Sequence, residues 1–234
     1  MLPIRDKNPS GTIPFSVYTL IAANVAIFLF EIAKPDKELQ DFVMRFGIVP
    51  ANVTAALKGE ADLLQSLIIP AVTSMFIHGG WLHLIGNMWY LFIFGDNVEG
   101  RLGHVTFLAF YILCGFCAGA AQCVLDPSST IPSVGASGAI AGVLGAYITC
   151  WPRARVVTLV PLLYIMTFVD LPAVFLLGFW FVIQLLEGVG SIGAAYASGG
   201  IAYWAHIGGF ISGILLVRLL PAHTRRRERR PWES

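Results

Sequence analysis

The sequence predicts an all-α polytopic membrane protein, a six-transmembrane-helix bundle. Hydrophobic residues make up 56% of the chain and charged residues only 12%, whereas soluble domains carry roughly 25% charged residues. The mean hydropathy of +0.73 agrees with this class. A span needs about 17–25 apolar residues, and six stretches qualify if short or tilted helices are allowed. They are 15–33, 81–96, 104–125, 136–151, 171–187 and 201–220.

The first apolar stretch is predicted to remain in the protein as a helix. Arg5 and Lys7 precede it, but it is longer than the apolar core of a signal peptide, and no cleavage site of small residues follows it. Residues 1–14 are therefore predicted to form a cytoplasmic N-terminus, and 15–220 one membrane domain.

Two further apolar runs, 67–78 and 156–169, are short, and each is interrupted by a proline. We assign both to interfacial or re-entrant segments. The first closes a long outer loop, 34–80. All four cysteines lie in apolar segments that imply no oxidising partner, so no disulfide is expected.

The basic residues predict the orientation, because Lys and Arg favour the cytoplasmic side of short loops. With both termini inside, the outer connections 126–135 and 188–200 contain neither Lys nor Arg. The basic tail 221–234, with its "RRRERR" cluster, suits the inner membrane surface. It is too short to predict nucleic-acid binding.

Four polar side chains fall at a similar depth in three different spans. Ser137 lies at the outer start of span four, and His83 near the outer start of span two. Asn87 follows His83 by one helical turn on the same face. His206 is predicted one to two turns into the outer part of span six. Each needs a partner, because an unpaired polar group in a membrane is costly.

Small residues predict where two of these spans approach each other. Span four presents Ser137, Ala141 and Gly145 along one stripe and Gly138, Gly142 and Ala146 along the next, and span six presents Ala205, Gly209 and Gly213. Such surfaces let helix backbones come close in lipid. If they face each other, Ser137 and His206 come within hydrogen-bond distance, as a serine nucleophile and its histidine base.

Other interpretations stay open at this point. A membrane serine can bond to its own helix, and a His/Asn pair can join two helices, as we expect of Asn24, Gln122 and Gln184. A non-catalytic binder or chaperone of membrane helices would use the same cluster only for recognition.

Two other classes of protein are disfavoured. A metalloprotease is disfavoured because no H-E-x-x-H motif occurs, and a transporter because no inverted repeat is evident. No metal or cofactor is predicted.

Three motifs in this order resemble the rhomboid intramembrane serine proteases. They are "HGGWLHLIGNMWYLFIFGDNVEGRLG" at 78–103, "GASG" at 135–138 and "AHIGGFISG" at 205–213. The similarity runs over spans two to six. The segment "WPRARVVTLVP" also resembles a common bacterial branch of this family.

The resemblance implies a role for each motif residue. Ser137 would be the nucleophile and His206 its general base, a dyad without a carboxylate. His83 and Asn87 would help to bind the oxyanion, and Gly135 would permit the tight backbone beside the serine. His78 matches a loop histidine of structural use.

One position departs from the family pattern. Many relatives carry a large side chain four residues after the serine, where it packs on the histidine ring, and here that residue is Ala141. Tyr203, Trp204 and Trp180 are the candidates to fill the gap. Span five has few small residues for tight packing, so it is a candidate gate.

The implied function is an intramembrane serine endopeptidase. It would cleave transmembrane helices of membrane protein substrates in or near the bilayer, without a cofactor. The implied location is the bacterial inner (plasma) membrane. The alternative is a non-catalytic membrane-helix binding or chaperone protein of the same fold.

Overall fold

The chain is mostly helical, as the sequence predicts. The computed structural model describes residues 1–162, 165–191 and 202–223, so the "RRRERR" cluster of the tail lies outside the described residues. The α-helices are Phe15–Ile32 (α1), Asp36–Phe46 (α2), Pro50–Leu57 (α3), Ile69–Thr73 (α4), Trp81–Leu102 (α5), His104–Leu125 (α6), Ser137–Cys150 (α7), Ala173–Gly190 (α8) and Tyr203–Leu219 (α9). Each predicted span thus has a helix, and α2 and α3 lie within the predicted outer loop.

Within the described ranges, three helices are long and apolar enough to cross a membrane by themselves: α1, α6 and α8. A fourth candidate joins α5 to the preceding segment Leu64–Phe76 across a bend of 80°. That segment contains the π-helical turn Leu64–Ile68, α4 and the 3-10 turn Ser74–Phe76. The helices α7 and α9 are apolar but shorter, with 14 and 17 residues. The count of six spans therefore stays a prediction.

Helix α5 continues to Leu102, beyond the predicted end at residue 96, because its polar residues have partners. Glu99 is buried, and its two carboxylate oxygens accept the backbone N–H groups of Ser16 and Val17 at 2.8 Å each. These donors belong to the first turn of α1, which has no partners for them within the helix. His104 also bonds to Glu99. The carboxylate therefore joins the ends of three helices.

The segment 156–169 differs from the prediction of an interfacial or re-entrant segment. It lies in an antiparallel strand pair, Arg155–Leu162 (β2) and Ile165–Pro172 (β3). The N-terminal strand Leu2–Asp6 (β1) pairs with β2 to give the order β1-β2-β3. Valine and threonine at positions 156–160 favour a pleated strand over a helix, and Lys7 bonds to Asp170 at 2.6 Å beside the sheet.

Helix α7 lies at the centre of the helical core. Every residue from Gly138 to Tyr147 is buried. A Cβ atom built on Gly209 or Gly213 of α9 would come within 2.0 and 1.9 Å of the carbonyl oxygens of Gly138 and Gly142. The two backbones are therefore in direct contact, and the prediction that these glycine stripes face each other is confirmed.

Candidate active site

Ser137 is the first residue of α7, and the segment before it is held by backbone hydrogen bonds. Ser133 exchanges N–H and C=O bonds with Ile48, at 2.7 and 3.1 Å, and the Gly135 N–H donates to the carbonyl of Ser74 at 2.8 Å. As the first residue of a helix, Ser137 is followed by backbone N–H groups that have no acceptor within the helix. These N–H groups and the positive end of the helix dipole would stabilise negative charge that develops next to the Ser137 hydroxyl.

His206 lies in the first turn of α9, which begins at Tyr203. This is nearer to the helix start than the predicted one to two turns inside the span, because α9 begins at Tyr203. The Nε2 atom of His206 is 2.8 Å from the Ser137 Oγ. The predicted approach of the two side chains is thus present in the structure.

The other ring nitrogen of His206 also has a partner, which the sequence did not reveal. Its Nδ1 is 2.6 Å from the Oε1 atom of Gln184 on α8. Gln184 was predicted only to join helices. It does join α8 to α9, but it does so through the histidine of the site.

The remaining residues predicted to join helices behave in two ways. The Oε1 atom of Gln122 on α6 accepts the backbone N–H of Ala205 on α9, at 3.3 Å, so it does join two helices. Asn24 instead donates to the carbonyl of Leu20 in its own helix, at 2.7 Å.

Trp180 is the large side chain that packs on the histidine ring. The centroids of the Trp180 and His206 rings are 5.9 Å apart, with an angle of 38° between the planes. Trp180 also contacts Phe210. Of the three candidates named above, Trp180 on α8 therefore has the ring contact with His206.

His83 and Asn87 lie next to Gly135, which precedes Ser137 by two residues. A Cβ atom on Gly135 would come within 2.6 Å of His83 Nε2 and 3.5 Å of Asn87 Nδ2. The Asn87 Nδ2 is buried and has no acceptor within the part of the chain that the structure describes. An amide donor is thus available beside Ser137.

His78 lies behind His83, and their rings meet edge to face with centroids 5.1 Å apart. The His78 ring is buried, and its backbone N–H donates to the Glu31 carboxylate at 3.2 Å. The Nδ1 atom of His83 accepts the Gly79 N–H at 3.4 Å. These contacts fix the orientation of the His83 ring from behind.

A cavity of about 620 Å³ connects these groups. Its polar lining contains Ser137, His206, His83 and Asn87, and its remaining lining is mostly apolar. The apolar lining includes Leu82, Tyr90, Val134, Ile140, Ala141, Leu144 and Trp180. Among residues 1–162, 165–191 and 202–223, no group of three His, Cys, Asp or Glu side chains could hold a metal ion. The polar groups that line this cavity are hydroxyls, imidazoles and the amide of Asn87.

Comparison with known proteins agrees with the three sequence motifs. The Rhomboid domain model matches residues 66–223. RHOMBOID-like protein 6, mitochondrial, of Arabidopsis thaliana is 31% identical over 221 residues, which cover 85% of this chain and 66% of that protein. Rhomboid protein 1, mitochondrial, of Saccharomyces cerevisiae is 29% identical over 205 residues, 85% of this chain and 51% of that protein.

A third relative, RHOMBOID-like protein 7 of Arabidopsis thaliana, is 30% identical over 65% of this chain and 42% of its own length. The chain spans only about half the length of several such relatives. They are eukaryotic proteins, so the bacterial location predicted above has no support among them. The matched domain covers more than half of the chain and includes every residue of the site. The chain is an integral membrane protein of the rhomboid family.

Proposed function

We propose that this protein is an intramembrane serine endopeptidase that cleaves transmembrane helices of membrane proteins with a Ser137–His206 dyad. The single observation that carries the proposal is the 2.8 Å contact between the Ser137 Oγ and the His206 Nε2. A serine hydroxyl is a weak nucleophile until a neighbouring base accepts its proton, and this contact has the required length.

The reaction follows from the geometry in two acyl-transfer steps. The Ser137 Oγ attacks the peptide carbonyl carbon while its proton passes to His206 Nε2. The imidazolium then donates that proton to the leaving amine, the C–N bond breaks and an acyl-enzyme ester remains. In the second step water attacks the ester, His206 again accepts and returns a proton, and the new carboxylate leaves.

The negative oxygen formed in each step needs hydrogen-bond donors that are already in place. The Asn87 Nδ2 and the N–H groups in the first turn of α7 are the candidate donors, with His83 beside them. In a site that excludes bulk water, each such donor stabilises the transition state by several kcal/mol. Gly135 would keep the space between Ser137 and these donors free of a side chain.

The decisive experiment compares five purified proteins in liposomes with a generic transmembrane substrate. We expect the wild type to cleave, and Ser137→Ala and His206→Ala each to abolish cleavage. The double variant should be no worse, because nucleophile and base act as a unit. Ser212→Ala is the matched control, since its hydroxyl donates to the Gly209 carbonyl of its own helix and not to the dyad. Robust turnover by Ser137→Ala would refute the dyad.

The type of hydrolase is tested separately with inhibitors and pH. A fluorophosphonate probe should attach to the wild type and not to Ser137→Ala, and cleavage should persist in EDTA and 1,10-phenanthroline. Activity should decline in acid, because a protonated imidazole cannot accept the serine proton. If the probe does not react and no cleavage occurs, the protein is a non-catalytic binder of membrane helices. Inhibition by chelators that zinc reverses would instead identify a metalloenzyme.

A further inference from the structure

The carboxamide of Gln184 contacts the His206 ring on the side away from Ser137. The Nδ1···Oε1 distance of 2.6 Å is short for a neutral pair, and Gln184 is only 9% exposed. Both ring nitrogens of His206 are therefore engaged, one by the serine and one by the glutamine. No carboxylate forms a hydrogen bond or ion pair with this ring within the described part of the chain.

The orientation of the carboxamide determines which ring nitrogen carries the proton. A neutral imidazole has one N–H and one lone pair. The carbonyl oxygen of Gln184 can only accept, so this contact is a hydrogen bond when Nδ1 carries the proton, and the lone pair of Nε2 then points at the Ser137 hydroxyl. With the opposite tautomer, Nε2 would carry the proton and could not accept another from Ser137.

We propose that Gln184 is a positioning residue that holds His206 in the tautomer and orientation which the dyad needs. This inference rests on the proposed function. When His206 becomes an imidazolium during the reaction, the Nδ1–H bond to the glutamine oxygen persists and strengthens, since the donor is then charged. A neutral amide does this without placing a second ionised group inside the membrane domain, where an unpaired charge is costly.

Helix α8 supplies a second contact to the same ring. Trp180 precedes Gln184 by four residues, so both side chains project from one face of α8. One packs on the His206 ring, and the other bonds to its Nδ1. Both contacts with His206 therefore require α8 to pack against α9.

Helix α8 is also loosely packed compared with the other long helices. Only 22% of the most apolar 18 residues of α8 are buried inside the protein, against 39% for the corresponding stretch of α6. A Cβ atom on Gly178 or Gly190 would meet no other atom within 4 Å. Movement of this helix away from α9 would remove the ring contact and the Nδ1 acceptor together.

Two variants of similar size test the role of the carboxamide. Gln184→Leu keeps an apolar side chain but removes the acceptor, and we expect its rate of fluorophosphonate labelling at Ser137 to fall about 10- to 100-fold, as for other groups that orient a histidine. Gln184→Glu keeps the acceptor and should retain labelling. Its activity should be lost at a higher pH than in the wild type, because a carboxylate stabilises the imidazolium. The other titratable groups of the cavity, His83 and Tyr90, are unchanged in both variants.

The tautomer itself is read by nitrogen NMR of ¹⁵N-histidine-labelled protein, which needs no activity. We expect His206 to carry its proton on Nδ1 in the wild type and to lose this preference in Gln184→Leu. Gln122→Leu is the matched control, since it removes another buried glutamine that bonds to α9 but not to the ring. It should lower thermal stability and leave the His206 tautomer unchanged.

The two readouts separate failure of this inference from failure of the proposed function. If wild type and Gln184→Leu share the same His206 tautomer, labelling rate and pH profile, Gln184 is only a contact between helices and the inference is wrong. If the tautomer changes but no form of the protein reacts with the probe, Gln184 does orient His206 and the proposed function is wrong.

Discussion

Gly135 is the residue with the least freedom to change near Ser137. Residues that carry a Cβ rarely adopt its backbone φ of +119°. A Cβ at this position would also lie 2.6 Å from His83 Nε2. Gly135→Ala is therefore expected to displace either the loop or the His83 ring and to reduce cleavage at least tenfold. Gly190→Ala, where nothing lies within 4 Å, is the control. Wild-type kinetics in Gly135→Ala would mean that this space is not used in the reaction.

Asn87 offers a graded test of oxyanion stabilisation. Asn87→Ala removes the free Nδ2 donor but leaves the backbone N–H groups of α7, so we expect kcat to fall roughly 10²–10³-fold with little change in KM. Steady-state cleavage in liposomes measures this, with the exposed Asn52→Ala as control. A change confined to KM would assign Asn87 to substrate binding instead.

The sequence predicted some site residues much better than others. Ser137 and His206 could be paired because they fall at a similar depth beside small-residue stripes of two spans, and because their motifs resemble those of the rhomboid family. Gln184 could not, since one glutamine in a membrane helix is equally consistent with any interhelical hydrogen bond. Only the three-dimensional positions of α8 and α9 reveal that its partner is His206.

At the scale of single elements, the contact between α7 and α9 dominates the packing. Gly213→Ala would place a Cβ 1.9 Å from the Gly142 carbonyl oxygen. The nearest atoms all belong to the Gly142 backbone, which cannot rotate away, so the two helices must separate. We expect this overpacking to lower the free energy of unfolding by about 1–3 kcal/mol.

The matched control for that substitution is Gly178→Ala in α8, where the added methyl group meets no atom within 4 Å. It should be neutral or slightly stabilising, because alanine favours helix over glycine. Thermal unfolding in detergent compares the two variants. Equal midpoints would show that the α7–α9 interface can relax without cost.

The sheet shows why local patterns were insufficient for one element. The β-branched residues of 156–160 could have indicated a strand, but the segment was short, apolar and next to predicted spans. Of the two partners of β2, β3 follows directly in the sequence, but β1 is about 150 residues away, with Leu2 opposite Leu159. A pairing over that distance leaves no local signal beyond strand propensity, whereas α6 was predicted to the residue from its apolar length.

For the whole molecule, the distribution of arginines predicts that both termini lie on the cytoplasmic side. Single cysteines at Ile13 and Ala222, in a background without the native cysteines, should react with an impermeant thiol reagent only from that side. Lys58→Cys in the loop 34–80 should react only from the other. All three positions are exposed. Labelling of Ala222→Cys from the outer face would overturn the six-span arrangement.

The central place of α7 has a consequence for how the bilayer can influence this protein. Since every residue from Gly138 to Tyr147 is buried, the helix that begins with Ser137 has no lipid-facing side. A photoreactive phospholipid should therefore label α1, α6 and α8, and leave α7 unlabelled. Acyl-chain length and membrane fluidity can then change the reactivity of Ser137 only through the surrounding helices, and among these α8 has both a lipid-exposed surface and a direct bond to His206.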